Sequence, residues 1–234
     1  MGFFVNRFSR LFLISLSLFC AAPLMADEAI NISSHPVINT QDAIKDLQQL
    51  LGKVKSFTSR FVQESQNGQG EVLQSIQGKM DVAKPGKLRW QTEGIYEQLV
   101  ISDGKSLWIY DQDLEQVSIK NMDNRLAETP ALLLGGDVSA IETDFIVSQK
   151  HSKSHRVFIL QPKDTTQLFD SLEISFNKHS KQQELQQMII RDASGQVTAI
   201  SFSDAVNNPV LDDRIFTFSI PKGVDVIDGR KGAY

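Results

Sequence analysis

Cysteine is almost missing from this chain: Cys20 is the only one among 234 residues. One thiol closes no disulfide and builds no zinc–thiolate site, so the fold must rest on burial and hydrogen bonding. Positive charge is in deficit, with 24 Lys and Arg against 28 Asp and Glu, which argues against the clustered basic surface of a nucleic-acid binder. Past the N-terminus no apolar run approaches the ~20 residues that a membrane-spanning helix needs. Catalytic signatures are missing as well. There is no GxSxG nucleophile turn, no HExxH zinc helix and no phosphate-binding glycine pattern. Gly68-Gln69-Gly70 begins like a dinucleotide fingerprint, but Leu73 stands where the third glycine belongs.

What is present begins with an export signal. Arg7 and Arg10 supply a positive start, Leu11 to Phe19 is an uncharged apolar run, and small residues follow up to Ala26. A run this short suits the core of a cleaved signal better than a membrane anchor. Residues 1–26 are therefore expected to be removed and 27–234 to form one domain, with cutting after Ala22 as the competing choice. Phe19 precedes Cys20 where a lipoprotein signal would place a small residue, so Cys20 is expected to leave with the signal and to carry no lipid. Of the basic residues, Arg7 and Arg10 leave too, so 22 remain against 28 acidic ones. The mature product is expected to be exported, soluble and monomeric, with no nucleic-acid partner.

The mature chain opens with a helix. Thr40 can cap it, Asp42 suits the positive end of its dipole, and Ile44, Leu47, Leu50, Leu51 and Val54 recur at helical spacing. Gly52 leaves its end uncertain. From Phe57 short β-type runs are punctuated by Gly, Pro, Asn and Asp. They fall near 57–66, 71–83, 87–93, 96–102, 105–111, 114–120, 144–150, 155–162, 170–177, 184–193, 196–204 and 214–220. Close spacing of so many strands, without the long helices that parallel pairs require, predicts an antiparallel sandwich or barrel. Asp103-Gly104 predicts a two-residue hairpin turn that pairs Val100 with Leu107 and Leu99 with Trp108. Both faces of that ribbon are then apolar, and one must pack on something else or line a cavity. Thr129-Pro130 reads as the start of a short helix through Leu132, Leu133 and Leu134, stopped by Gly135. Such a helix is unstable alone and must lie against apolar surface. A curved sheet with both helices across its concave face would bury them, over either a filled core or an apolar cavity.

The remaining candidate sites are weak. His151 and His155 have metal-ligand spacing for a helix but flank a strand turn. Asp111, Asp113 and Glu115 resemble a calcium loop, yet position 116 is Gln where that loop needs Gly. Fourteen Phe against three Tyr and two Trp lean toward apolar area without polar handles.

Several pieces in order resemble the periplasmic outer-membrane lipoprotein carrier family (LolA), from about Asp42 to Lys231. Ser56-Phe57 with Phe61-Val62-Gln63 resembles its SFxxxFxQ strand, and Gly78-Lys79-Met80 its G-x-hydrophobic strand. Lys84-Pro85-Gly86-Lys87-Leu88-Arg89-Trp90 resembles its basic-Pro segment, and Asp103 to Tyr110 with Glu115-Gln116 its DGKxLWxY…EQ hairpin. Thr129 to Leu134 resembles the mid-chain helix, and Phe216-Thr217-Phe218 to Gly223-Val224 the C-terminal ending.

The resemblance implies a mainly β fold: an unclosed antiparallel barrel of about eleven strands with a lid of short helices over an apolar cavity. It implies a non-enzymatic periplasmic carrier without a cofactor or metal. Such a carrier takes triacylated lipoproteins from an ATP-driven (ABC-type) transporter of the inner membrane and hands them to a LolB-like outer-membrane receptor. The residues expected at the cavity are Leu47, Leu50 and Leu51 from the first helix and Leu132, Leu133 and Leu134 from the second. The strands are expected to add Phe61, Met80, Val82, Leu88, Trp90, Leu99, Ile101 and Trp108. The family usually places an Arg before the proline to hold the lid. Here that position is Lys84, either a latch with a point charge in place of a planar fork or a solvated surface lysine. The competing functions are a lipid- or lipoprotein-sensing envelope regulator of the same fold and a periplasmic lipid-modifying enzyme. The regulator usually carries a second domain, and the enzyme needs a nucleophile or metal set that the chain does not display.

Overall fold

The computed structural model describes residues 40–95, 97–122, 131–164, 167–180 and 184–230. The helix α1 spans Thr40–Gly52. Six strands follow: β1 Ser56–Gln66, β2 Val72–Ala83, β3 Lys87–Glu93, β4 Gln98–Asp103, β5 Ser106–Asp111 and β6 Gln116–Asn121. Two short helices come next, α2 Leu132–Gly135 and α3 Ala140–Asp144. Five more strands then run β7 Phe145–His151, β8 His155–Pro162, β9 Ser171–Asn177, β10 Leu185–Arg191 and β11 Val197–Asn207. A 3-10 turn Asp213–Phe216 precedes β12 Asp225–Asp228. Thr129 and Pro130, the expected helix start, lie outside the described residues, as does the signal segment.

The strands join in one sheet, ordered β12-β6-β5-β4-β3-β2-β1-β11-β10-β9-β8-β7. The two end strands do not pair with each other, so the sheet is unclosed. Twelve strands replace the expected eleven or so, and the pairing is not wholly antiparallel, since β12 runs parallel to β6. The expected strand at 214–220 does not form. Its backbone turns inward instead, Ile215 N donating to Asp212 O and Thr217 N to Arg214 O. The alternation Phe216-Thr217-Phe218 serves to cover a sheet face rather than to extend an edge. Helix α3 has no counterpart in the sequence reading, because five residues with the single buried apolar Ile141 carry no measurable period.

The β4–β5 hairpin differs from its expected register. Ser102 pairs with Leu107, Ile101 with Trp108 and Val100 with Ile109, two residues away from a two-residue turn. The carboxylate of Asp103 accepts from the N–H groups of Lys105 and Ser106, each at 2.8 Å, and only Gly104 has positive φ, at 93°. The side chain thus stabilises a wider loop than Asp-Gly alone suggests. A shift of two preserves the face of every side chain.

Alternation then sorts the ribbon. Val100 shares a row with Trp90 and Met80, and these belong to the main core together with Phe61, Val82, Leu88 and Leu107. The core is closed by Ala43, Ile44, Leu47 and Leu51 of α1, by Leu132 to Leu134 of α2, and by Val147, Phe158, Leu160 and Ile174 of the far strands. Leu99, Ile101 and Trp108 point to the opposite, outer face. There the chain after β11 lies across the sheet. Phe216 is 1% exposed, Phe218 meets the rings of Tyr110 and Trp108 at 5.8 and 6.4 Å between centroids, and Lys87 pairs with Asp213 at 2.8 Å.

Candidate functional site

The concave face and the helices across it form the candidate site. Helix α1 buries one stripe, Ala43, Ile44, Leu47 and Leu51, with Leu50 and Val54 half-buried at its edge. The hydrophobic driving force for that stripe holds the helix on the sheet, as a 13-residue helix has little stability of its own. Helix α2 is buried along its whole length. Its end is tied by Gly86 N donating to Gly135 O at 2.7 Å, and Gln48 Nε2 of α1 donates to Val138 O at 3.0 Å. The two helical segments therefore contact each other as well as the sheet.

Lys84 is half-buried and hydrogen-bonded. Its Nζ donates to Leu51 O, at the C-terminal end of α1, at 2.7 Å, and the same carbonyl accepts from Val54 N at 3.1 Å. Burial holds the Lys84 ammonium below the usual lysine range, and the carboxylate of Asp137 partly offsets this. Asp137 in turn is held below the usual carboxylate range, chiefly by hydrogen bonds from Ser139 and least by Lys84. A partly desolvated ammonium with a neutral carbonyl as acceptor is a modest tether, easier to part than a bidentate ion pair.

Among the described residues, side chains of the main core pack across the concave face. Space remains at the end of α1, as a pocket of about 320 Å³ lined by Leu50, Leu51, Val54, Phe57, Leu134, Phe176 and Leu185, with Lys53, Asn207 and Asn208 at its polar rim. Asn208 secures that rim. Its Oδ1 accepts from Lys55 N at 2.6 Å and its Nδ2 donates to Lys53 O at 3.2 Å.

The structure gathers Leu47, Leu50, Leu51, Phe61, Met80, Val82, Leu88, Trp90 and Leu132 to Leu134 around one interior. Leu99, Ile101 and Trp108 are on the other side of the sheet and are not brought to it. Phe57, Phe176 and Leu185, which line the pocket, are not among the residues expected at the cavity. The SF pair of β1 and the alternation in β9 were the signals that could have marked the first two. His155 contacts Ser154 Oγ at 2.8 Å and Gln186 Oε1 at 3.0 Å. Among the described residues no group of His, Cys, Asp and Glu could hold a metal ion, and no helix is long and apolar enough to cross a membrane.

An unclosed β-sheet curled over short helices with wholly apolar undersides is the architecture of a shell around an apolar interior. The chain belongs to the LolA family: the family model described as outer membrane lipoprotein carrier protein LolA matches residues 52–219. Curated relatives agree. The outer-membrane lipoprotein carrier protein of Pseudomonas paraeruginosa is 43% identical over 185 residues, covering 79% of this chain and 87% of that protein. The protein of the same name from Azotobacter vinelandii is 39% identical over 221 residues, covering 94% and 99%. Among solved structures, the LolA superfamily protein NE2245 from Nitrosomonas europaea aligns with a TM-score of 0.46 at 14% identity, covering 77% of this chain and 98% of that one.

Proposed function

We propose that this protein is a periplasmic lipoprotein carrier. It shields the acyl chains of lipoproteins released from the inner membrane by an ATP-driven transporter and delivers them to an outer-membrane receptor. The observation that carries the reading is the cover itself: α1 and α2 present buried leucines to an apolar concave face and are held there by few polar contacts, Lys84 to Leu51 O among them. The printed names of the curated relatives support it. No catalytic step is part of this reading.

Each acyl methylene removed from water contributes ~0.8 kcal/mol, so the chains need a dry enclosure in transit. A pocket of about 320 Å³ is at the small end of ligand cavities and cannot take a triacylated anchor. Loading is expected to lift α1 and α2, which exposes the apolar wall, and the incoming chains replace the leucines that left it. The leucines of the cover and the acyl chains compete for one surface, which keeps binding reversible.

Titrating the purified mature protein with a triacylated peptide that carries an environment-sensitive fluorophore is expected to give saturable binding. A flat titration with well-folded protein would contradict the proposal. Lys84→Leu removes the donor to Leu51 O and is expected to speed uptake about tenfold, the scale of a lost charge-assisted hydrogen bond, with the fold retained. Unchanged uptake would remove Lys84 from the lid's control.

A further inference from the structure

We infer that Asp46 and Arg156 form a second, charge-based catch on α1, separate from Lys84, which must part before the concave face can open. The inference rests on the carrier reading for its purpose but not for its test. Arg156 Nη2 donates to Asp46 Oδ2 at 2.5 Å, joining β8 to the middle of α1. Arg156 occupies the concave side of β8, in line with Phe158 and Leu160, which are fully buried. A guanidinium on such a wall requires charged or polar partners, and among the described residues Phe158 and Gln149 help to position it. Its carbon lies 5.5 Å from the centroid of the Phe158 ring. The fully buried Gln149, with its amide oxygen turned toward Arg156, accepts from Nε at 3.2 Å and from Nη2 at 3.3 Å. Gln149 is thus a positioning residue that aims the guanidinium at the helix.

The placement on α1 is specific. At 100° per residue, Asp46 and Gln48 stand on opposite flanks of the buried Leu47. Gln48 ties its flank to Val138 O, and so to the neighbouring helical segment. Asp46 ties the other flank to the sheet. That second flank continues one turn on to Leu50, which lines the pocket, and Phe176 of the pocket wall is the cross-strand partner of Arg156. The ion pair therefore closes the seam at which the pocket meets the edge of the helix. Lys84 secures the C-terminal end of α1, next to the Asn208 clamp, where a pivot would be. Asp46 lies a turn and more away, where the displacement on opening is larger.

The two catches differ in kind. Lys84 donates to a neutral carbonyl, whereas Asp46 and Arg156 attract as opposite charges and are weakened by salt. The Arg156 side chain is 18% exposed and that of Asp46 43% exposed, so the pair is screened only in part.

The test reads opening directly, without lipid: backbone amide hydrogen exchange of α1 in the purified full chain, at about 0.01 M and about 1 M salt, where the screening length falls from ~30 to ~3 Å. In the native protein exchange of α1 is expected to quicken with salt. In Asp46→Asn it is expected to be about fivefold faster at low salt and nearly salt-independent, with global stability lowered by no more than the same factor. The charge-reversed double variant, Asp46→Arg with Arg156→Asp, is expected to recover slow, salt-sensitive exchange. Native-like exchange in Asp46→Asn would overturn the catch. Equal acceleration by salt in Asp46→Asn and the native protein would do the same. Failure of the carrier reading would appear only in lipid titration and would leave these rates as expected, so the two failures are distinguishable.

Discussion

Replacing Gly78 by alanine is expected to destabilise the protein by about 3 kcal/mol, the upper end of ordinary overpacking, lowering the melting temperature by roughly 10 °C for a chain of this size. Gly78 is paired with Phe61 across β1 and β2, and the Phe61 ring lies over it. A Cβ at position 78 would stand 2.5 Å from Phe61 Cζ and 2.1 Å from Gln91 O. The ring cannot yield easily, because it stacks on Trp90 with centroids 3.8 Å apart and 26° between planes. The carbonyl belongs to the neighbouring strand β3, so the methyl must displace either the ladder or the aromatic stack at the centre of the concave wall. Gly52 is the control. A Cβ there meets nothing within 4 Å, and Gly52→Ala is expected to be neutral or mildly stabilising, within ~1 kcal/mol. Urea unfolding midpoints check both. A Gly78→Ala midpoint equal to the native one would mean that the ring is not seated over the glycine.

Leu133→Glu is expected to weaken binding of a triacylated peptide about a hundredfold while leaving the sheet folded. Leu133 is 3% exposed and faces the core from α2. A carboxylate there would be buried without a partner, at a cost of several kcal/mol. The chain has a cheaper escape than global unfolding. Helix α2 is one turn long and, among the described residues, α2–α3 is tied to the rest by few backbone hydrogen bonds, Gly86 to Gly135 O among them, so the segment can leave the wall and place the charge in water. The concave face then loses the apolar cover that must close over cargo. Near-native circular dichroism with native affinity would show that Leu133 plays no part in holding acyl chains. Leu133→Met, close in volume and still apolar, is expected to cost less than 1.5 kcal/mol.

Much of the fold was legible because its elements obey simple periods. The stripe of α1 from Ile44 to Leu51 and the alternation of Leu88, Trp90 and Thr92 in β3 lie where spacing puts them. What escaped depends on contacts between distant residues. Leu99, Ile101 and Trp108 have one parity, Val100 and Leu107 the other, and both are apolar. Only the packing of Phe216 and Phe218 on the first set assigns it to the outer face, and those residues follow more than a hundred positions later. The same two aromatics, alternating around Thr217, imitate a strand. The hairpin register turned on whether Asp103 uses its backbone or its carboxylate to make the turn. Lys84 could be narrowed to latch or surface lysine, but its acceptor is a carbonyl 33 residues earlier, and no pattern in a sequence displays a carbonyl. Arg156 and Asp46, 110 positions apart, were invisible for the same reason.

The central claim is that acyl chains lie on the concave wall beneath α1 and α2. The most direct test places a near-isosteric diazirine amino acid at single positions, loads the protein with a triacylated peptide, irradiates and reads adducts by mass. Adducts are expected from position 50, at the pocket, and from position 88, on the concave side of β3, and none from positions 99 or 108 on the outer face. Adducts from 99 or 108 with none from 50 and 88 would contradict the account, since the chains would then lie under the C-terminal segment and not under the helices.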